Sequence, residues 1–465
     1  LTGMAALAAE LARYLSYQAP AYDLGFFDQV VERTARGHAW QSSFLSYSFL
    51  GQHFEPVLLL PAALDRLTPS PIWLLVIQAV ALGLAPVAAW RLGRAWLGPW
   101  GGWAAALATC LSPLLIRAAL FDFHAEALTP AVALFALDAA ARHHRVRFAL
   151  LLAFLALVKE DALLVAAGAG WIAWCADRRS LGLALSVAAL AGFALVVGVV
   201  MPHERGGAPG DLADRYAYLG GRSVSAMLRG ALTAPSRPLG RLLGRDGLAG
   251  LATAALPLAL LPLGAGWALL GAVPPLLVAL LSADPDQARL LYHYGLESFP
   301  LLLACALLGW RAVLRRRGGL TIPPRSVAPQ SARRAERRRT GSGRLLGSLL
   351  VGASLVVSVA LALPALADRL GHVSLARHAQ VERVLAGVPP AAEVSAQTGL
   401  VPHLSARASI FEFPSGFGTR YVVLDDLGPV SDQARAAGYA TRRAQLSGAG
   451  YRPIRRAAGV TLWIR

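Results

Sequence analysis

Apolar positions in this chain come in long blocks and not in alternation, until the last hundred residues. Residues 71–90 (PIWLLVIQAVALGLAPVAAW), 181–201 and 344–366 each hold an apolar run of roughly 18 residues or more, enough for a helix to cross a bilayer. Further apolar runs lie at about 1–19, 101–119, 127–141, 148–158, 161–176, 249–263, 267–282 and 295–312. Together they predict roughly eleven spans in an α-helical transmembrane bundle. Two runs are short: 148–158 would extend only about 16 Å as a helix. With 161–176 it reads as a hairpin of short helices whose tip, Lys159-Glu160-Asp161, reaches a water-filled cavity, because charge at that depth is tolerated only where protein or water receives it. One long kinked helix is the competing arrangement, and it would break the parity of the crossings. After about residue 367 the apolar runs shorten (393–396, 408–411, 421–425, 450–455 and 459–464) and flank a helical stretch at 431–447. This pattern predicts a small α/β domain over 367–465, following a transmembrane domain over 1–366.

Composition agrees with that division. Of the 465 residues 56% are hydrophobic and 15% charged, against about 25% charged in an average soluble domain; the mean hydropathy is +0.51. A net charge of +17 invites a nucleic-acid reading, but the distribution excludes it. Arginines gather in short loops: Arg91/Arg94, Arg142/Arg145/Arg147, Arg178/Arg179, and a tract at 310–343 rich in Gly, Ser and Pro. With the N-terminus cytoplasmic, all four fall on the cytoplasmic side, so the tract reads as a disordered cytoplasmic loop able to touch anionic lipid. The 202–248 loop also carries arginines yet falls outside, where the rule weakens for long structured loops. The same parity puts the C-terminal domain outside. No basic stretch precedes the first apolar run, so no cleavable signal peptide is expected, and the start at Leu1 implies a truncated first span or a misassigned start. Cys110, Cys175 and Cys305 all lie in apolar segments and form neither a metal nor a disulfide pattern.

Acids, imidazoles and the lone lysine fall on the outer side. The loop after the first span holds Asp23, Asp28 and Gln29, then an amphipathic helix to about Arg36, then His53 and Glu55. Asp23 is placed as the N-cap before that helix and Asp28 within it. Later outer segments bring Asp122, His124 and Glu126; then Lys159, Glu160 and Asp161; then His203-Glu204-Arg205; then His293, Tyr294 and Glu297. Lys159 is the one lysine beside 43 arginines among the 44 basic residues; an ammonium is a compact charge suited to phosphate or carboxylate. The expectation is one polar cavity at the outer end of the bundle, with His403 of the C-terminal domain at its mouth. No cofactor is required by this pattern. A divalent cation is the one the residues would suit, held by the pairs His53/Glu55 and His124/Glu126.

The strings YDLGFFDQ, GQHFEP, FDFHAEAL, the KED tip and VSAQTGLVPHLSAR, in that order over almost the whole chain, resemble a bacterial membrane family known as domain of unknown function 2079. That family is similar to the GT-C membrane glycosyltransferases, which include the protein mannosyltransferases and the aminoarabinose lipid A transferases. The resemblance implies an inner-membrane protein and a polyprenyl-phosphate sugar donor. It also implies an acceptor of unknown identity, a catalytic acid in the first extracytoplasmic loop (Asp28 ahead of Asp23) and a lysine at a helix break (Lys159) holding the donor phosphate with Arg205. The chain departs from those relatives in lacking their adjacent Asp-Glu pair. Two other classes fit a bundle with charge at one face: a transporter or flippase of a lipid-linked intermediate, and a non-catalytic scaffold. A transporter is expected to carry inverted repeats, and no internal repeat is visible.

Overall fold

The computed structural model describes residues 2–177, 180–208, 210, 212–316, 329–361 and 374–465. Arg178/Arg179, residues 317–328 of the basic tract and residues 362–373 before the C-terminal domain lie outside the described residues.

Helix α1 (Thr2–Leu15) packs on α2, the long element Ile72–Cys110. Among the described residues three helices are long and apolar enough to cross a membrane: Ile72–Cys110, Ser180–Glu204 and Gly343–Ala360. The first of these contains a turn. Gly98 has φ 80° and is followed by Pro99, and a Cβ on Gly93 would stand 2.5 Å from the Gly101 carbonyl oxygen. The chain therefore doubles back, and the expected spans at 71–90 and 101–119 begin as two arms of one hairpin. A β carbon is disfavoured at that φ, which is why glycine occupies the turn. The second arm stops at Cys110, and a separate helix, Pro113–Ala119, completes the segment.

Further along are α3 (Thr129–Ala141), α4 (Arg145–Val158) and α5 (Ala162–Asp177), packed against one another. The break between α4 and α5 is Lys159-Glu160-Asp161; Lys159 has extended dihedrals (φ −166°, ψ 160°). The two short helices are thus distinct, not one kinked rod. The 249–282 region is also broken. Arg245–Leu258 and Leu261–Gly271 meet at 115° through Ala259 and Leu260, both at positive φ. Helix α6 (Phe299–Arg316) is buried on most of its length, and α7 (Pro329–Leu361) carries the last part of the basic tract into the final apolar span. Leu183, Val187, Leu190, Leu195 and Val199 on the Ser180–Glu204 element are exposed. In water each such side chain forgoes about 1.5–3 kcal/mol of burial, so the stripe fits a lipid surround.

The C-terminal domain is a layered α/β unit. Its sheet runs β2-β1-β3-β5-β4, with β1 (Val394–Ala396), β2 (Ile410–Glu412) and β3 (Tyr421–Asp425) parallel, and β5 (Val460–Ile464) antiparallel to both β3 and β4 (Arg452–Ala457). Its two faces enter separate cores. Tyr421 and Val423 face the core shared with α8 (Leu375–Leu385); Val422 and Leu424 face that of Tyr439 and Leu446. The helix expected at 431–447 is two short ones, Asp432–Ala436 and Tyr439–Ala444, separated at Gly438 (φ 86°). The first of these two cores also contains Tyr17 and Ala21, so the domain docks on the segment that follows α1. There Ala21 N–H donates to Thr398 Oγ1 at 3.0 Å, and a Cβ on Gly399 would fall 1.9 Å from the Tyr17 carbonyl oxygen.

The bundle has two unlike ends. Arg91 and Arg142 converge on buried Asp138, at 2.8 and 2.7 Å. The N-terminal end of α3, which follows His124 and Glu126, lies at the other end of that helix, on the side where the C-terminal domain sits.

Candidate active site

An open cleft of about 590 Å³ lies at this second end, adjoined by an inner chamber of about 90 Å³. Gln52, His53, Lys159, Arg215, His293 and Tyr294 line both.

The first loop supplies Asp23, though not as a cap. Pro20 holds the capping position, and residues Ala21–Gly25 form a single wide π turn that carries Asp23 on its side. Gly25 lies against the C-terminal domain, where a Cβ would meet Val401 Cγ1 at 2.7 Å. Asp23 faces the cleft, about a quarter exposed, with Oδ1 3.3 Å from His124 Nε2. The other ring nitrogen, Nδ1, lies 3.1 Å from the Asp122 carbonyl oxygen. That carbonyl can only accept, which assigns the proton to Nδ1 and turns Nε2 to Asp23. Burial disfavours an imidazolium at His124, yet the carboxylates of Asp23 and Glu126 outweigh it and hold the pKa above its usual value. His293 stacks on His124 with ring centroids 3.5 Å apart; burial, and then the charge of His124, hold it well below its usual value. The surroundings thus favour the charged form at His124 and the neutral form at His293.

Lys159 projects from the α4–α5 break into both cavities and bonds the carboxylate of Glu126. His293 Nε2 is 3.7 Å from the same carboxylate. Glu160 is engaged by His53 Nδ1 (3.1 Å) and accepts the Phe54 N–H (2.8 Å), fixing the start of the 53–58 turn. Asp161 and Glu297 line the inner chamber. Glu55 lies fully buried behind it; neither carboxylate oxygen has a hydrogen-bond partner among the described residues, and burial, ahead of nearby Glu126 and Glu160, raises its pKa well above the ordinary range.

Several sequence expectations meet different geometry. Asp28 is 2% exposed and absent from the lining of both cavities; it accepts the Ser405 hydroxyl at 2.5 Å, and burial pushes its pKa up to about 8. Its helix (Phe26–Ala35) turns that side chain toward the C-terminal domain, one face away from Asp23. Gln29 is likewise consumed, donating to Ser43 Oγ and to the Arg407 carbonyl and accepting from Ser42. Asp122 is buried against Arg13 at 2.7 Å and orients His124 through its backbone. Arg205 does not line either cavity and packs beside Gly51, where a Cβ would meet its Cγ at 2.7 Å. Arg215, ten residues on, lines both, 5.7 Å from the Tyr294 ring centroid. His403 is not at the cleft mouth. It is stacked on Tyr14 (4.1 Å, 6°) and bonded to Glu382 (3.0 Å), and Gln433 is the C-terminal residue that lines the cleft. His53, Glu55, His124 and Glu126 do not assemble as one ligand set, because His53 is paired with Glu160 and His124 with Asp23. Arg215 lies in the long 202–248 loop among other arginines, and Gln433 in the helical stretch expected at 431–447, and neither carries a motif that would set it apart.

A family model described as "Predicted membrane protein (DUF2079)" matches residues 13–461. No curated protein matches the chain. Among solved structures, the chain is similar to ArnT from Cupriavidus metallidurans bound to undecaprenyl phosphate, at 13% identity, with 99% of this chain and 97% of that chain covered and a TM-score of 0.48. The apo state of the same protein gives 12% identity, the same coverage and a TM-score of 0.49. The arabinofuranosyltransferase AftD from mycobacteria gives 16% identity over 99% of this chain and 39% of that one, with a TM-score of 0.44. With nearly its whole length matched by the family model, the chain belongs to the predicted membrane protein family DUF2079.

Proposed function

We propose that this protein is a membrane glycosyltransferase that moves a sugar from a polyprenyl-phosphate donor to an acceptor hydroxyl, with Asp23 as the general base. The observation that carries the reading is that a first-loop carboxylate, Asp23, the helix-break lysine Lys159 and Arg215 open on the same cleft at one end of an apolar bundle. The first two are the elements the motif resemblance leads one to seek. Asp23 takes the proton of the acceptor hydroxyl as its oxygen attacks the anomeric carbon. The bond from that carbon to the phosphate oxygen breaks, and the electron pair leaves on the polyprenyl phosphate. Lys159 and Arg215 stabilise the charge developing there, while the His124 imidazolium holds the Asp23 carboxylate in place. The donor's lipid tail lies along the apolar exterior of the bundle.

The cleft and C-terminal domain face the extracytoplasmic side of a bacterial inner membrane, with a cytoplasmic N-terminus and roughly eleven crossings, counting short and broken helices. The convergence of Arg91 and Arg142 at the opposite end supports this orientation. The test is purified protein in lipid nanodiscs with a panel of labelled polyprenyl-phosphate sugars. Donor consumption that Asp23→Asn abolishes is the expected result. Movement of lipid or solute across a bilayer, with no donor consumed, would replace this reading with a transporter.

A further inference from the structure

Away from the cleft, three side chains of the C-terminal domain converge in a different way. His378 and Glu382 are one turn apart on α8, and His403 ends the 3-10 helix Thr398–His403. One ligand atom from each lies within 4.8 Å of the other two, the sole such trio among the described residues. His403 Nε2 is 3.0 Å from the Tyr14 carbonyl oxygen. A carbonyl only accepts, so Nε2 carries the hydrogen and Nδ1 presents its lone pair to Glu382 Oε1, 3.0 Å away. Two electron-rich atoms at that distance need a cation between them, a proton or a metal ion. The Tyr17 hydroxyl stands 3.0 Å from both Glu382 Oε1 and His378 Nδ1, so it is placed as a fourth donor or as a partner orienting the others.

We propose that His378, Glu382 and His403 bind one divalent transition-metal ion of the Zn²⁺ class, independently of the glycosyltransferase reading. Two imidazole nitrogens and one carboxylate oxygen are a donor set typical of zinc, and a neighbouring carbonyl fixing the tautomer of a ligating histidine is the usual supporting contact. Zinc–nitrogen bonds of about 2.0–2.1 Å put tetrahedral ligands about 3.3 Å apart, so the His403–Glu382 pair at 3.0 Å opens slightly and the other separations, within 4.8 Å, close on the ion. Glu382 is 43% exposed on its side chain, which leaves a route for the ion and room for a water ligand, while the His403 side chain is 2% exposed and rigidly stacked. The ion joins α8 to the 3-10 helix whose Val401 and Pro402 touch Gly25, so it braces the floor under the Asp23 turn.

The experiment uses untagged full-length protein, stripped of metal and titrated with Co²⁺ and Zn²⁺. The expected result is one ion per chain, a tetrahedral d–d absorption band with Co²⁺, and a rise in melting temperature with Zn²⁺. His378→Gln and Glu382→Gln, at partly exposed positions where folding is expected to survive, should each abolish the band and the thermal shift. Tyr17→Phe should weaken binding about 10- to 100-fold if the hydroxyl orients a ligand. Sub-stoichiometric binding, or binding unchanged in both glutamine variants, would overturn the proposal and leave a proton as the bridging cation.

Discussion

Asp28 and Asp23 lie five residues apart, and their environments assign them opposite behaviour under the same Asp→Asn change. Asp28 is buried, and its pKa is pushed from an ordinary 3.8 up to about 8. Between those values the folded protein keeps a proton that the unfolded chain has released. A carboxyl with a raised folded pKa favours folding fully only below its unfolded value, and that contribution is lost as pH rises through the folded value. The loss is about 1.4 kcal/mol for each pH unit in that window, so on the order of 4 kcal/mol by pH 7. Asparagine has no proton to lose and can still accept the Ser405 hydroxyl. Asp28→Asn is therefore expected to melt higher than the parent at pH 7–8, with the gap shrinking as pH falls toward 4, and to keep its turnover. Asp23→Asn should change the melting temperature little and lower kcat by about 10²- to 10⁴-fold, or about 3–5.5 kcal/mol of barrier. Thermal unfolding in nanodiscs from pH 4 to 8, beside turnover of a labelled donor, reads both. A dead Asp28→Asn with an unchanged melting curve, or an active Asp23→Asn, would refute the assignment.

Lys159→Met strands the buried carboxylate of Glu126 and should cost about 3–5 kcal/mol of stability; Lys159→Met/Glu126→Gln should recover most of that in thermal melts without recovering donor binding. Arg215→Met, at a position outside that ion pair, should weaken binding of a polyprenyl phosphate in a direct binding assay while leaving the melting temperature close to the parent. A reporter active only outside the cytoplasm should work when fused after Arg465 and stay silent within residues 317–328; the reverse pattern would invert the orientation. Gly399→Ala forces a Cβ onto the Tyr17 carbonyl and should loosen the C-terminal domain, seen as faster limited proteolysis between the bundle and residue 374; an unchanged digestion rate would mean that the docking contact yields easily.

Much of this arrangement is legible in the sequence because charge inside apolar runs has few physical solutions. The α4–α5 break at Lys159-Glu160-Asp161 follows from three ionisable residues between runs too short to span. The strands of the C-terminal sheet fall within about two residues of their expected positions, since short apolar runs mark central strands such as Tyr421–Asp425, which is buried at every position. What stayed hidden depends on backbone direction. A wide π turn at Ala21–Gly25 leaves no compositional trace, and without it Asp23 reads as a cap and Asp28 as the better-aimed acid. Arg205 and Arg215 share one long loop, and only the path of that loop decides which guanidinium reaches the cleft. His403 lies in a motif that looks made for a substrate, yet its ring is held by Tyr14 and Glu382 from elements distant in sequence.

The docking of Tyr17 and Ala21 into the C-terminal core has a consequence for biogenesis. The turn bearing Asp23 is made before its supports, because His378, Glu382, Thr398 and Val401 lie roughly 360–380 residues later. During synthesis the Asp23 turn therefore waits without its floor until the segment through Val401 has left the ribosome. A chain that stalls before residue 374 would lack every one of these supports, so the geometry of the Asp23 turn is set only once the C-terminal domain has docked.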